Sequence, residues 1–152
     1  MALIIATGSN QGDPLRNLEE AQNLLSDEYQ LTSSSMVYRS KAVDYLDQPD
    51  FFNQVHQFEI PEQSPQSVMQ NLLQLEQKLG RKRDIPKGPR IIDLDIIFWG
   101  LSELSSQVVE IPHPRLFERS FVVRPLSELP YYQTLITKFT FPASFEIEAY
   151  PL

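Results

Sequence analysis

Gly88-Pro89-Arg90-Ile91-Ile92-Asp93-Leu94-Asp95-Ile96-Ile97-Phe98 is the stretch that decides the fold. Side chains in a strand alternate between two faces, so Asp93 and Asp95 project together while Ile92, Leu94 and Ile96 point the other way, into a core. The pattern predicts a strand over Ile91 to Phe98, continuing to Trp99-Gly100, with two carboxylates converging on one spot. Upstream of it lies a basic loop, Arg81 to Pro89. Further upstream, Ser64-Pro65 opens a helix whose apolar face is Val68, Met69, Leu72, Leu75 and Leu79, with Gly80 in the position that closes such helices.

The same logic extends towards the N-terminus. Leu3 to Thr7 reads as a first strand closed by Gly8-Ser9-Asn10. Asp13 then reads as a helix cap with Pro14 at the first helical position, and Leu15, Leu18, Ala21 and Leu25 are spaced for one buried face. A second strand is predicted over Leu31 to Arg39 and a third over Phe51 to Glu59, where Phe52, Val55 and Phe58 cannot share one face, so a bulge or two-sided burial is expected. The link from Ser40 to Asp50 is long and rich in turn formers, as functional loops tend to be. The resulting order, β-α-β-β-α-β, is the α+β, ferredoxin-like arrangement: an antiparallel sheet with helices packed on one side. Beyond residue 100 the signals are weaker: a short strand at Val108 to Ile111, a loop through Pro112-His113-Pro114, an element at Phe121 to Leu126, and no clear period after Pro130. One domain over residues 1–152 is expected.

Composition excludes several classes of function. The 152 residues are 41% hydrophobic and 22% charged, as in ordinary globular chains. There is no cysteine, so disulfides and thiolate metal sites are impossible, and His56 and His113 are too few for a histidine-rich zinc site. No stretch approaches about 18 consecutive apolar residues and no leader pattern opens the chain, so a cytoplasmic monomer without a membrane partner is expected. A net charge of -7 disfavours nucleic acid. Yet eight of the 13 Lys and Arg fall between positions 81 and 124 (Arg81, Lys82, Arg83, Lys87, Arg90, Arg115, Arg119 and Arg124), which suggests one anion site on an acidic body.

The carboxylate pair suits Mg2+, which prefers hard oxygen ligands and is commonly held by one or two carboxylates plus substrate phosphates. Alternating aspartates are also what a plain solvent face carries, and the Arg81-Lys82-Arg83 run with Lys87 and Arg90 is equally a solvated cluster or a phosphate clamp. Side by side the two favour phosphoryl transfer, which relies on cations and positioning more than on covalent protein chemistry. No Gly-x-x-x-x-Gly-Lys-Ser/Thr loop exists, so side chains must hold the phosphates. Taken singly, Glu76 reads as a surface residue, His113 as a restrained loop histidine, and Phe51 and Phe121 as core. Residues alone therefore lead to a Mg-dependent phosphoryl-transfer enzyme with an arginine-rich loop.

Together these segments resemble the 6-hydroxymethyl-7,8-dihydropterin pyrophosphokinase family. The resemblance rests on Gly8-Ser9-Asn10, Val37-Tyr38-Arg39-Ser40, Gln48-Pro49-Asp50-Phe51-Phe52-Asn53, Leu75-Glu76 and Leu79-Gly80-Arg81-Lys82-Arg83. It continues through Gly88-Pro89-Arg90 with Asp93-Leu94-Asp95, Ile111-Pro112-His113-Pro114-Arg115-Leu116, Glu118-Arg119-Ser120-Phe121-Val122 and Pro125-Leu126, in order across about residues 2–130. It implies a folate-pathway enzyme that transfers pyrophosphate from ATP to the pterin, with two Mg2+ ions on Asp93 and Asp95. Arg81 and Arg90 match catalytic phosphate-binding arginines, and Glu76, Arg83, His113 and Arg119 match the ATP site. Ser40, Val43, Phe51, Asn53, Asp93 and Phe121 match the substrate site, with the ring stacked between Phe51 and Phe121. The basic segment Arg81 to Pro89 is expected to order over the site when both substrates are bound.

Two other readings stay open. The β-α-β-β-α-β order also serves RNA-binding and ligand-binding modules, although the aromatic strand motif of the RNA-binding class is missing. A relative acting on another hydroxymethyl heterocycle is the third.

Overall fold

The protein is described by a computed structural model covering residues 1–42, 47–81 and 90–152. Strand β1 (Ala2–Ser9) leads into helix α1 (Pro14–Glu28), whose cap Asp13 accepts the Arg16 amide through its side chain. Leu18, Ala21 and Leu25 of α1 are buried, whereas Leu15, expected on the same face, is 49% exposed. At 100° per residue Leu15 sits about 90° from the centre of that stripe, which is its edge. Helix α2 (Pro65–Lys78) begins as expected with Ser64 accepting the Ser67 amide, and Gly80 turns the chain away with φ 93°.

The second predicted strand is two strands. β2 (Leu31–Ser34) and β3 (Tyr38–Ser40) both pair with β4 (Phe51–Glu59), with Ser34 opposite His56 and Tyr38 opposite Asn53. Residues 35–37 thus face only residues 54–55, one residue too many for a regular ladder. Ser35 absorbs the excess: its Oγ accepts the Val55 amide at 3.0 Å and its carbonyl accepts the Gln54 side chain at 2.8 Å. β4 itself runs unbroken and is buried from both sides, Val55 packing on one face and Phe58 on the other.

Strand β5 (Asp93–Trp99) joins the sheet, whose order is β5-β1-β4-β3 and then the last strand, β8 (Tyr150–Pro151), with β2 alongside β3 on β4 and every pairing antiparallel. The expected ferredoxin-like arrangement is present. A bulge lies between Ile4 and Ile5, where Ile4 faces Phe98 but Ile5 faces Ile96, so Ile97 is the extra residue.

The two faces are covered differently. Helices α1 and α2 close one of them over Leu3, Ile5, Phe58, Leu94 and Ile96. The other carries Ile4, Val55, Ile97 and Phe98 and is covered by the chain after residue 100. That segment contains a small ribbon, β6 (Leu104–Ser105) with β7 (Glu110–Ile111), a 3-10 turn at Leu116–Glu118, helices α3 (Ser120–Leu126) and α4 (Tyr132–Leu135), and the last strand β8 (Tyr150–Pro151). Its irregular part packs through rings: Phe98 lies 5.2 Å from Phe139, and Phe141 lies 5.2 Å from both Phe117 and Tyr132, edge-tilted contacts that add to the burial term.

Candidate active site

The end of β1 is the floor of the site. Gly8 faces Asn53 on β4 and Asp93 on β5, and Ala6 faces Asp95, so two neighbouring rows on one sheet face carry an amide and two carboxylates. A Cβ on Gly8 would meet the Asn53 amide nitrogen at 2.5 Å, so only glycine lets that side chain lie against the sheet. Helix α3 and the Pro112–Arg119 turn roof these rows, and the pocket between them is lined by Ser40, Phe51, Asn53, Arg90, Asp93, Asp95, His113, Arg119 and Phe121 among others.

Charge concentrates at one end. Asp93 accepts from Arg81 Nη1 through Oδ1 at 2.7 Å and from Arg90 Nη1 through Oδ2 at 3.1 Å. Arg81 Nη1 also reaches Glu76 Oε2 at 2.9 Å, and the same oxygen accepts the Leu94 amide at 2.8 Å. Buried Glu76 therefore fixes Arg81 to the strand that carries the aspartates. Its place is behind Arg81, and it is not among the residues lining the pocket. Asp95 has no comparable anchor among the described residues. Loss of hydration, followed by the Asp93 and Glu76 carboxylates, pushes its carboxyl up to about 7, against the opposing pull of Arg119 and Arg81.

The other end is apolar and hungry for hydrogen bonds. Phe51 and Phe121 stand in the lining, each with a guanidinium over its ring: Arg90 at 5.8 Å from Phe51 and Arg119 at 5.9 Å from Phe121. Among the described residues, buried Ser40 Oγ and Asn53 Oδ1 lack any hydrogen-bond partner. Two such atoms in one pocket are costly, about 1–3 kcal/mol each, unless a ligand satisfies them. His113 Nδ1 accepts the Arg115 amide at 3.2 Å, and burial with the Arg119 and Arg115 charges lowers its pKa, favouring the neutral ring.

The structure thus brings Ser40, Phe51, Asn53, Arg90, Asp93, Asp95, His113, Arg119 and Phe121 into one cavity wall and sets Arg81 and Glu76 behind Asp93. Val43 and Arg83, expected in the substrate and ATP sites, and all of the basic segment after Arg81 up to Pro89 lie outside the described residues. In the sequence Asn10 reads as the end of the Gly8-Ser9-Asn10 strand stop and family motif, with no role of its own. Its side chain is a hub: Oδ1 accepts the Arg90 amide at 2.8 Å while Nδ2 donates to Gln48 and to the Pro49 carbonyl at 2.9 and 3.0 Å. The one available signal was Asn10 standing just after a strand end, where such an amide commonly staples loops.

The donor set fits a hard divalent cation. Asp93 and Asp95 share one sheet face, and each Asp93 oxygen, though bonded to a guanidinium, keeps a further lone pair. Among the described residues no group of three His, Asp or Glu could hold a metal by protein ligands alone. Such a site suits Mg2+, which keeps water and phosphate oxygens among its ligands.

Most of the chain matches known proteins. The family described as 7,8-dihydro-6-hydroxymethylpterin-pyrophosphokinase matches residues 4–131. The chain is 39% identical over 129 residues to "Folic acid synthesis protein fol1" of Pneumocystis carinii, covering 84% of this chain and 17% of that protein. It is 39% identical over 128 residues to "Folate synthesis bifunctional protein, mitochondrial" of Arabidopsis thaliana, covering 84% and 23%. It therefore spans about a quarter or less of these two relatives. Against "2-amino-4-hydroxy-6-hydroxymethyldihydropteridine pyrophosphokinase" of Bacillus subtilis the identity is 35% over 127 residues, covering 82% of this chain and 75% of that protein.

Proposed function

The chain belongs to the 7,8-dihydro-6-hydroxymethylpterin-pyrophosphokinase family, and from that membership we propose that it transfers the terminal pyrophosphoryl group of ATP to 6-hydroxymethyl-7,8-dihydropterin as one catalytic domain. The observation that carries this reading is the joining, in one pocket, of an aspartate and arginine cluster to an aromatic slot with two unsatisfied polar atoms.

Each end has a task. The pterin ring stacks between Phe51 and Phe121, and the orphaned Asn53 Oδ1 accepts from its amino edge while Ser40 bounds the ring. Arg81 and Arg90, assisted by Arg83, hold phosphate oxygens, and His113 and Arg119 bind the rest of ATP from the roof. Two Mg2+ ions on Asp93 and Asp95 would neutralise charge on the transferring phosphates. The hydroxymethyl oxygen forms a bond to the β-phosphorus, the bond from that phosphorus to the α-phosphate oxygen breaks, AMP leaves, and the hydroxyl proton is released. Holding Asp93 by two guanidiniums, one of them locked by Glu76, positions these groups before substrate arrives, where preorganisation contributes most.

The RNA-binding reading gains no support, because the sheet face such modules offer to bases is here covered by the segment after residue 100. No helix among the described residues is long and apolar enough to cross a membrane, and a cytoplasmic setting is part of the same proposal. The test is the nucleotide product. Incubation with Mg-ATP and the reduced hydroxymethylpterin should give AMP in step with pterin diphosphate, and formation of ADP would overturn the reaction type.

A further inference from the structure

The roof of the slot is tied on its outer side to residues 143–152. Helix α3, which carries Phe121, has seven residues, no side-chain cap and a proline inside it. So short a helix cannot hold its own place, and tertiary contacts must fix it. Part of that fixing is the burial of Val122, Val123 and Leu126 against the sheet, and residues 143–148 supply polar contacts beside it. Ser120 Oγ donates to the Ile147 carbonyl at 2.6 Å, Arg124 Nε and Nη2 donate to the two Glu148 oxygens at 2.7 and 3.3 Å, and Nη2 also donates to the Ala143 carbonyl at 2.9 Å. The Arg124 guanidinium lies 5.0 Å from the Phe145 ring centre, and Ala149 is buried.

The chain then crosses to the opposite wall. β8 pairs with β3, Tyr150 facing Arg39 and Pro151 facing Tyr38, and the Leu152 amide donates to the Val37 carbonyl at 3.0 Å. β3 ends at Ser40, which lines the slot and faces Phe51 across the ladder. One short segment therefore grips the helix that bears one aromatic wall and the strand beside the other. The family match ends at residue 131, well before it.

We propose that residues 143–152 are a brace that sets the separation of the Phe121 wall from the Phe51 and Ser40 wall, with Arg124 and Glu148 as its positioning residues. The inference rests on the pterin-slot reading above. Neither residue lines the slot, so each acts on the ring through the elements it holds and not by touching it. The bidentate geometry of the pair supports a fixed distance rather than a loose tether.

Steady-state kinetics on the full chain test it. Arg124→Ala and Glu148→Ala should each raise the pterin KM about 2- to 30-fold, the range for substitutions that act on a site at a distance. The kcat should stay near wild type, and the KM for Mg-ATP should rise less than the pterin KM, because Arg119 at the head of α3 is also held by the Leu116 carbonyl. The swapped pair, Arg124→Glu with Glu148→Arg, should recover most of the loss. Glu148→Gln, which keeps an acceptor oxygen, serves as the milder variant should an alanine variant not fold, and a smaller rise of the same kind is expected. Unchanged pterin KM in the folded variants overturns the brace while leaving the function intact. So does a parallel loss for pterin and ATP that tracks the melting temperature, because that marks a general stability role. Wild-type protein that neither binds nor turns over the pterin overturns both readings.

Discussion

The two faces of the central sheet differ in how they are built and in what they carry. The helix-covered face is a mainly aliphatic core, with Tyr29, Phe58 and Trp99 in it, closed by α1 and α2, and of its strand residues Thr7 reaches the lining of the pocket. The opposite face is covered by a short helix, a turn and an irregular aromatic tail, and it leaves open the row of Asn53, Gly8 and Asp93. Regular cover stabilises, and irregular cover leaves room for a substrate. Loops set on a rigid scaffold are where binding groups concentrate.

Removing charge from the open face should have the largest effect. Asp93→Asn and Asp95→Asn are each expected to cut turnover at least about 100-fold at saturating Mg2+, since even outer-sphere changes at metal sites cost about 10- to 100-fold. Thermal melting should stay close to wild type. Asp95→Asn should if anything melt higher in the absence of metal, because it removes a carboxylate that its surroundings disfavour. Near-normal turnover in either variant would remove both aspartates from the catalytic assignment.

The helix-covered side should instead answer to acid. His56 lies beside Phe58 with its Nδ1 at 2.7 Å from Ser34 Oγ, its Nε2 is unpartnered among the described residues, and burial pushes its pKa down to about 4. An unfolded chain binds this proton near 6.5 while the folded one resists it, so the neutral ring's contribution is complete above about pH 6.5 and is lost as pH falls towards 4. The loss is at most about 3 kcal/mol by linkage. Melting followed from pH 7 to 4.5 should show this decline, and His56→Gln should flatten it. Equal slopes in the two proteins would show that another group controls acid sensitivity.

What the sequence made legible follows the same division. Asp13-Pro14 and Ser64-Pro65 mark both helix starts because caps act within one turn, and the Asp93-Leu94-Asp95 alternation marks the open face because strand geometry is local. The break at Ser35 was hidden, since it depends on a serine side chain taking over the bond to Val55. Asn10 was hidden because its partner Arg90 is 80 positions away. Glu76 matched the family's ATP network, yet its position behind Arg81 emerges only when α2 and β5 are set side by side. Phe139, Phe141 and Phe145 have no period to read because they pack by ring contact on irregular backbone.

Phe51 and Phe52 put the comparison into adjacent residues: Phe51 lines the pocket, whereas Phe52 packs against the helix-covered core. Calorimetric pterin affinity, measured beside melting temperature for Phe51→Ala and Phe52→Ala, is the most direct test that the two faces divide function from stability. Phe51→Ala should raise the pterin Kd about 5- to 150-fold, the range for one ring stacked on an aromatic side chain, with little change in melting. Phe52→Ala should lower the melting temperature through lost packing and leave pterin affinity near wild type. Loss of pterin affinity to the same degree in both variants, or in Phe52→Ala alone, would contradict the division.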